Sequence, residues 1–151
     1  MASYLADTNV LLRLADTASE QHPVATQALA RLLRQGDEVY VTPQNFIEFW
    51  SVATRPVQAN GFGWSNERAA KELTELQERF AMLPDSPEVF TRWLELVKGF
   101  PIRGKRVHDA RLVAVLQTNN VEHPLTFNTP DFTAFSFLSL IDPHALANPS
   151  K

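Results

Sequence analysis

The sequence predicts one α/β domain with a mainly parallel central sheet flanked by helices, and three observations predict it. Short apolar or β-branched runs alternate with longer segments of helical period. The breaks between them fall at Pro, Gly and Asn, the residues that punctuate structure. No repeat, low-complexity stretch or composition shift divides the chain, whose 151 residues are 44% hydrophobic and 21% charged. That is enough chain for one sizeable core and close to the globular norm. Residues 1–143 are expected to form the domain and residues 144–151 a frayed tail.

The elements follow in order. Residues 4–6 read as a short buried strand, and 10–14 as a first short helix. His22-Pro23 leads into a second helix, in which Val24, Ala28 and Leu32, and Ala25, Leu29 and Leu33, recur at helical spacing before Gly36 as a C-terminal cap. Residues 38–41 carry Val39, Tyr40 and Val41, which favour extended structure. Thr42-Pro43 starts a helix as N-cap and first-turn proline, and Arg55-Pro56 stops it. Asn60-Gly61 and Gly63 make residues 58–64 a loop, whose Phe62 and Trp64 can stack on bases, seal a protein interface or, the commoner fate of such residues, pack against their own domain. Ser65 opens a helix with Leu73, Leu76 and Phe80 inward. Pro84 to Pro87 separates it from a helix over 88–98, and a last long helix covers about 108–118. Residues 125–127 and 138–141 complete the strands.

Composition excludes several functions. With no cysteine there are no disulfides, zinc–thiolate sites or thiol catalysis. The first residues lack a basic region and a long apolar run, and nothing approaches the ~20 residues of a membrane span, so a soluble cytoplasmic protein is expected. A serine-hydrolase elbow and a glycine-rich phosphate loop are absent. His22, His108, His123 and His144 have no metal-like spacing, and His108 reads as a helix-start or surface residue.

Four acids stand out. Asp7 follows the first strand and opens Asp7-Thr8-Asn9. Glu48 lies on a polar stripe of its helix with Gln44, Asn45, Ser51 and Arg55. Asp109 opens a late helix, and Asp131 follows the next strand. In open α/β sheets ligands bind beyond the carboxyl ends of the strands, so all four can point into one crevice. Each has a structural use by itself: Asp7, Asp109 and Asp131 as helix caps or dipole partners, Glu48 as a solvated side chain. Together, four carboxylates in one crevice require compensation, since two of them ~5 Å apart repel by roughly 3 kcal/mol at an effective dielectric of ~20. A hard divalent cation with oxygen ligands would supply it. Net charge is −3, but without the four acids 13 Asp and Glu face 14 Lys and Arg. Lys98, Arg103, Lys105, Arg106 and Arg111 crowd around Asp109, a distribution suited to backbone phosphates.

Asp-Thr-Asn after strand one, a helical Glu, His108-Asp109-Ala110, and Thr126-Phe127-Asn128 with Asp131-Phe132, in that order over residues 5–143, resemble the motifs of a PIN-domain ribonuclease, more narrowly a VapC-type toxin. The resemblance implies an α/β PIN fold and a Mg²⁺- or Mn²⁺-dependent endoribonuclease with Asp7, Glu48, Asp109 and Asp131 as ligands. It implies cleavage of single-stranded RNA, with transfer RNA the first expectation and ribosomal or messenger RNA the alternatives, leaving 5′-phosphate and 3′-hydroxyl ends. Thr8, Asn9, Thr126 and Asn128 are the auxiliary polar residues; Arg103, Lys105 and Arg106 are expected to reach outward and hold RNA. A homodimer and a cognate antitoxin are the implied partners. One rival is a non-catalytic RNA- or protein-binding α/β module. The other is a haloacid-dehalogenase-type phosphatase, which needs a second Asp where this chain has Asn9.

Overall fold

The computed structural model describes residues 1–147. Its strands β1 (Ser3–Ala6), β2 (Glu38–Val41), β3 (Ala81–Met82) and β4 (His123–Leu125) form one sheet in the order β3-β2-β1-β4. Every pairing is parallel, with Tyr4 beside Val39 and Ala6 beside Leu125. The helices are α1 (Thr8–Ala15), α2 (His22–Arg34), α3 (Pro43–Thr54), α4 (Asn66–Arg79), α5 (Pro87–Gly99), α6 (Arg106–Thr118) and α7 (Pro143–Ala147).

The two-residue period of the strands divides the core. Tyr4, Ala6, Val39 and Val41 pack with α1 to α4, whereas Leu5 joins the apolar faces of α5 and α6 across the sheet. Three layers result, as a parallel sheet requires both faces covered.

Most boundaries lie where the local chemistry places them. Thr42 caps α3, accepting from the Asn45 backbone N–H at 3.1 Å, while the Asn45 side chain accepts from Thr42 N at 2.8 Å. Gly36, at φ +82°, ends α2, with the Asp37 N–H bonding back to Leu32 O. In α2, Ala25, Ala28, Leu29 and Leu32 are buried, but Leu33 is 55% exposed. Phe62 and Trp64 pack against the first core, with Arg68 over the Trp64 ring at 4.0 Å.

Three expectations need correction. Residues 138–141 are not a strand; only an isolated bridge pairs Ile141 with Leu125. The last strand is His123–Leu125 rather than residues 125–127, because the chain leaves the sheet once Thr126 turns toward Asp7. The chain after Pro143 does not fray at once: α7 packs along α2 and buries Pro143 and Ala147. Residues 148–151, the rest of the expected tail, lie outside the described part. No helix among the described residues is long and apolar enough to cross a membrane.

Candidate active site

The parallel pairing of β1 with β4 carries the chain to adjacent exits, so Asp7 and Thr126 emerge side by side. Asp7 is the N-cap of α1, its Oδ1 accepting from the Thr8 N–H at 2.7 Å. Its other oxygen accepts from the Thr126 hydroxyl at 2.9 Å and, at 3.3 Å, from the Asn9 side-chain amide. The Thr126 hydroxyl accepts in turn from Asn9 Nδ2 and the Asn128 N–H. Asn9 Oδ1 accepts from the Phe127 N–H and ties the two strand ends together. The capping use and the site use of Asp7 therefore coexist, one on each oxygen.

Glu48 reaches the same place from α3. Its Oε1 accepts from the Thr8 hydroxyl at 2.7 Å and its Oε2 from Gln44 Nε2 at 2.9 Å. Thr8 is itself held by Asn45, whose Nδ2 donates to the Thr8 oxygen at 3.1 Å. Asn45 and Thr42 are fully buried, so this chain of bonds joins the α3 cap to the carboxylate through the interior. Gln44 also donates to His108 O at 2.9 Å and accepts from Arg111 Nη1 at 3.1 Å, with Arg111 paired to Asp85 at 3.3 Å.

Asp109 sits in the first turn of α6, and Asp131 in a short 3-10 turn over Thr129–Phe132. Arg106 lies between them, its Nη1 2.7 Å from Asp131 Oδ1 and 3.6 Å from Asp109 Oδ2. Arg106 thus turns into the crevice rather than outward. Arg103 and Lys105 stay exposed at the approach to α6.

The electrostatics report the crowding. Leu112, Val113 and Phe132 close against Asp7, and this desolvation pushes its pKa up to about 6; hydrogen bonds from Thr126 and Thr8 pull the other way, and Glu48 and Asp131 add to the rise. Burial likewise pushes Asp109 up to about 7, helped by Asp7, Asp131 and Glu48 and opposed by Arg106. Each charged form is thus penalised by burial and by its neighbours, a penalty that a cation removes. The donors are all oxygens, which suits a hard divalent ion. Among the described residues no three His, Asp or Glu side chains close up enough to hold a metal unaided. Arg106 supplies the positive charge between two of them.

The PIN-domain family model matches residues 4–136, most of the chain and all four acids. The chain belongs to the PIN-domain family. The fold of this PIN domain is similar to VapBC2 of Rickettsia felis, a structure bound to a promoter DNA fragment, with a TM-score of 0.72 and 15% identity over 93% of this chain and 98% of that one. It is similar to VapBC-1 of nontypeable Haemophilus influenzae, with a TM-score of 0.69 and 18% identity over 93% and 98% of the two chains. It also resembles VapC20 of Mycobacterium tuberculosis, described as a sarcin–ricin-loop-cleaving toxin, with a TM-score of 0.64 and 14% identity over 87% and 95%. No curated protein sequence is significantly similar to the chain.

Family membership sets the phosphatase alternative aside, and Asn9 shows why its position needs no acid: its amide secures Asp7 and Thr126. Of the auxiliary residues named from sequence, Thr8, Asn9 and Thr126 bond the acids directly. Asn128 joins only through its main chain. The sequence places Gln44 and Asn45 only on the polar stripe of Glu48 and Arg111 only in the basic cluster, and gives no sign of Asp85. The spacing of Gln44 and Glu48, one helical turn apart, was the available signal.

Proposed function

We propose that this PIN domain is a divalent-metal-dependent endoribonuclease that cuts single-stranded RNA, and the toxin of a VapC-type toxin–antitoxin pair. The observation that supports the reading is that four acids from four elements lie within electrostatic reach of one another past the carboxyl ends of the strands, two of them with raised pKa values. Family membership and the likeness to VapBC assemblies support it. Asp7, Glu48, Asp109 and Asp131 would hold Mg²⁺ or Mn²⁺, directly or through water. When bound, such an ion polarises a phosphoryl oxygen and lowers the pKa of water.

The chain's own contribution is orientation. Thr8, Asn9 and Thr126 fix Asp7, while Thr8 and Gln44 fix both oxygens of Glu48. Such outer partners hold ligands in one geometry and keep them basic. Arg106, half-exposed at the rim, can exchange its carboxylates for a substrate phosphate once the acids have another cation. Arg103 and Lys105 extend that positive edge.

Incubating the purified protein with single-stranded RNA and Mn²⁺, with and without a chelator, tests the reading. Cleavage that stops with chelator and is lost in Asp7→Asn is expected. Equal cleavage by the variant would remove the acid assignment. The reading includes a homodimer, supported by Phe90 at 63% and Leu94 at 39% exposure on α5, and a cognate antitoxin encoded by a neighbouring gene.

A further inference from the structure

The cleft that ends at Glu48 has side chains the carboxylate site does not use. Glu48, Ser51 and Arg55 repeat along one face of α3 and line it together with Asp85, His108 and Arg111. The two arginines differ. Arg111 is engaged, paired with Asp85 and donating to Gln44. Arg55 pairs with no carboxylate among the described residues; its one side-chain bond is a long donation of 3.4 Å to the Ser51 hydroxyl.

The main chain at Arg55 is nevertheless pinned. Its N–H donates to Ser51 O at 3.1 Å, and its carbonyl accepts from the Gly63 N–H at 2.8 Å. Gly61 passes so close that a Cβ there would lie 2.1 Å from Arg55 O, a contact only glycine permits. Asn60, at φ 65°, makes the turn that brings it in. The loop over residues 58–64 therefore acts as a clamp on the end of α3, with Phe62 and Trp64 half-buried against the core behind it. A cation with no carboxylate partner among the described residues, on a fixed backbone and on the wall of a cleft that reaches Glu48, is arranged for an anion from outside.

We propose that Arg55, with the Ser51 hydroxyl beside it, binds a backbone phosphate of the nucleic-acid strand next to the one being cut. This rests on the nuclease reading above. Arg55 lies seven positions beyond Glu48, about 10 Å along the helix axis, and its guanidinium reaches back to Ser51, roughly one turn or about 5 Å from the level of Glu48. The phosphate at Arg55 is thus a neighbour of the phosphate at the carboxylates, not the same one. The subsite positions substrate and takes no part in the chemistry.

The test uses the Asp7→Asn protein, so that substrate survives, with a short single-stranded RNA and the DNA strand of the same sequence. Adding Arg55→Ala should weaken binding about tenfold at low salt, the loss typical of one charge-assisted contact. It should lower the slope of log affinity against log salt by about 0.7, as for one phosphate on a single strand. Arg55→Lys should keep the slope, and Arg55→Gln should lower it by the same ~0.7 while preserving packing, so the pair carries the test if Arg55→Ala fails to fold. In the otherwise unaltered protein, Arg55→Gln should leave the rise in melting temperature with Mn²⁺ unchanged. The Arg55 increment should be the same for RNA and DNA; an increment on RNA alone would overturn the phosphate assignment in favour of the ribose. If the unaltered protein cuts RNA but Arg55→Gln changes neither affinity nor slope, the subsite is wrong and the nuclease reading stands. If the protein neither binds nor cuts RNA, both are wrong.

Discussion

Asp7 shows how one side chain serves fold and site together. One oxygen caps α1, while the other is held by Thr126 and Asn9 and faces the acids. Asp7→Asn keeps a capping oxygen but loses the anionic charge proposed to hold the ion, so the proposed RNA cleavage should fall beyond the roughly 100-fold typical of losing an outer partner. Folding itself should survive, as circular dichroism would show. Asp109 gives a pH prediction. Its pKa is raised by folding, from an ordinary 3.8 to about 7, so the folded state binds its proton more tightly and ionisation destabilises the fold. That contribution is fully present below pH ~4 and lost as pH rises through about 7. In metal-free protein, the melting temperature of Asp109→Asn minus that of the unaltered chain should therefore climb between these limits and level off above them. A difference independent of pH would refute the crowding of charge. Arg106 makes the converse case. Arg106→Ala removes the cation between Asp109 and Asp131, which should lower metal-free stability near pH 8. It should also tighten Mn²⁺ binding by about tenfold, because one repelling charge is gone. Calorimetric titration with Mn²⁺ checks the second half, and weaker binding in the variant would contradict it.

Helix α3 organises the site more than any other element. Its outward stripe of Gln44, Glu48, Ser51 and Arg55 faces the cleft, while Asn45 points inward to Thr42 and Thr8. The sequence reading grouped Asn45 with the stripe, since position on a helical wheel does not reveal a capping box. Because Asn45 is fully buried and satisfies two partners, Asn45→Ala strands a donor and an acceptor in the core. The expected cost is about 2–3 kcal/mol. For a chain of this size that lowers the melting temperature by roughly 5–10 °C. Cleavage should fall as well, since Thr8 then holds Glu48 less firmly. A variant that melts like the parent would mean that water replaces the amide without loss.

At the scale of the molecule, the sheet order makes the site. With β1 between β2 and β4, the segments after all three strands converge, bringing Asp7, Glu48 and Asp131 within electrostatic reach of Asp109. An ion held only by the folded state stabilises it by mass action, by about 2.7 kcal/mol at 100 times its dissociation constant. Thermal melts with Mn²⁺ should show this rise in the parent and a smaller one in Asp7→Asn. An equal rise in both would place the ions elsewhere.

The α/β class, the seating of the four acids beyond strands or on helices, and most helix boundaries were legible in the sequence because they follow from local chemistry. A proline at a first turn, a glycine at positive φ and a two-residue strand period act over a few residues. The PIN motifs were legible for the same reason, since each is short and their order is read directly. Tertiary structure decided the rest. The two-residue strand β3 and the five-residue helix α7 are too short to show a period and exist only because β2 and α2 offer them partners. Residues 138–141 have strand-like composition but find one bridge rather than a ladder. Arg106 turns inward because the acids on two distant segments leave negative charge beside it. Arg55 is pinned because a glycine six residues later fits against its carbonyl. Such outcomes depend on which groups meet across the fold, and no local pattern encodes that meeting.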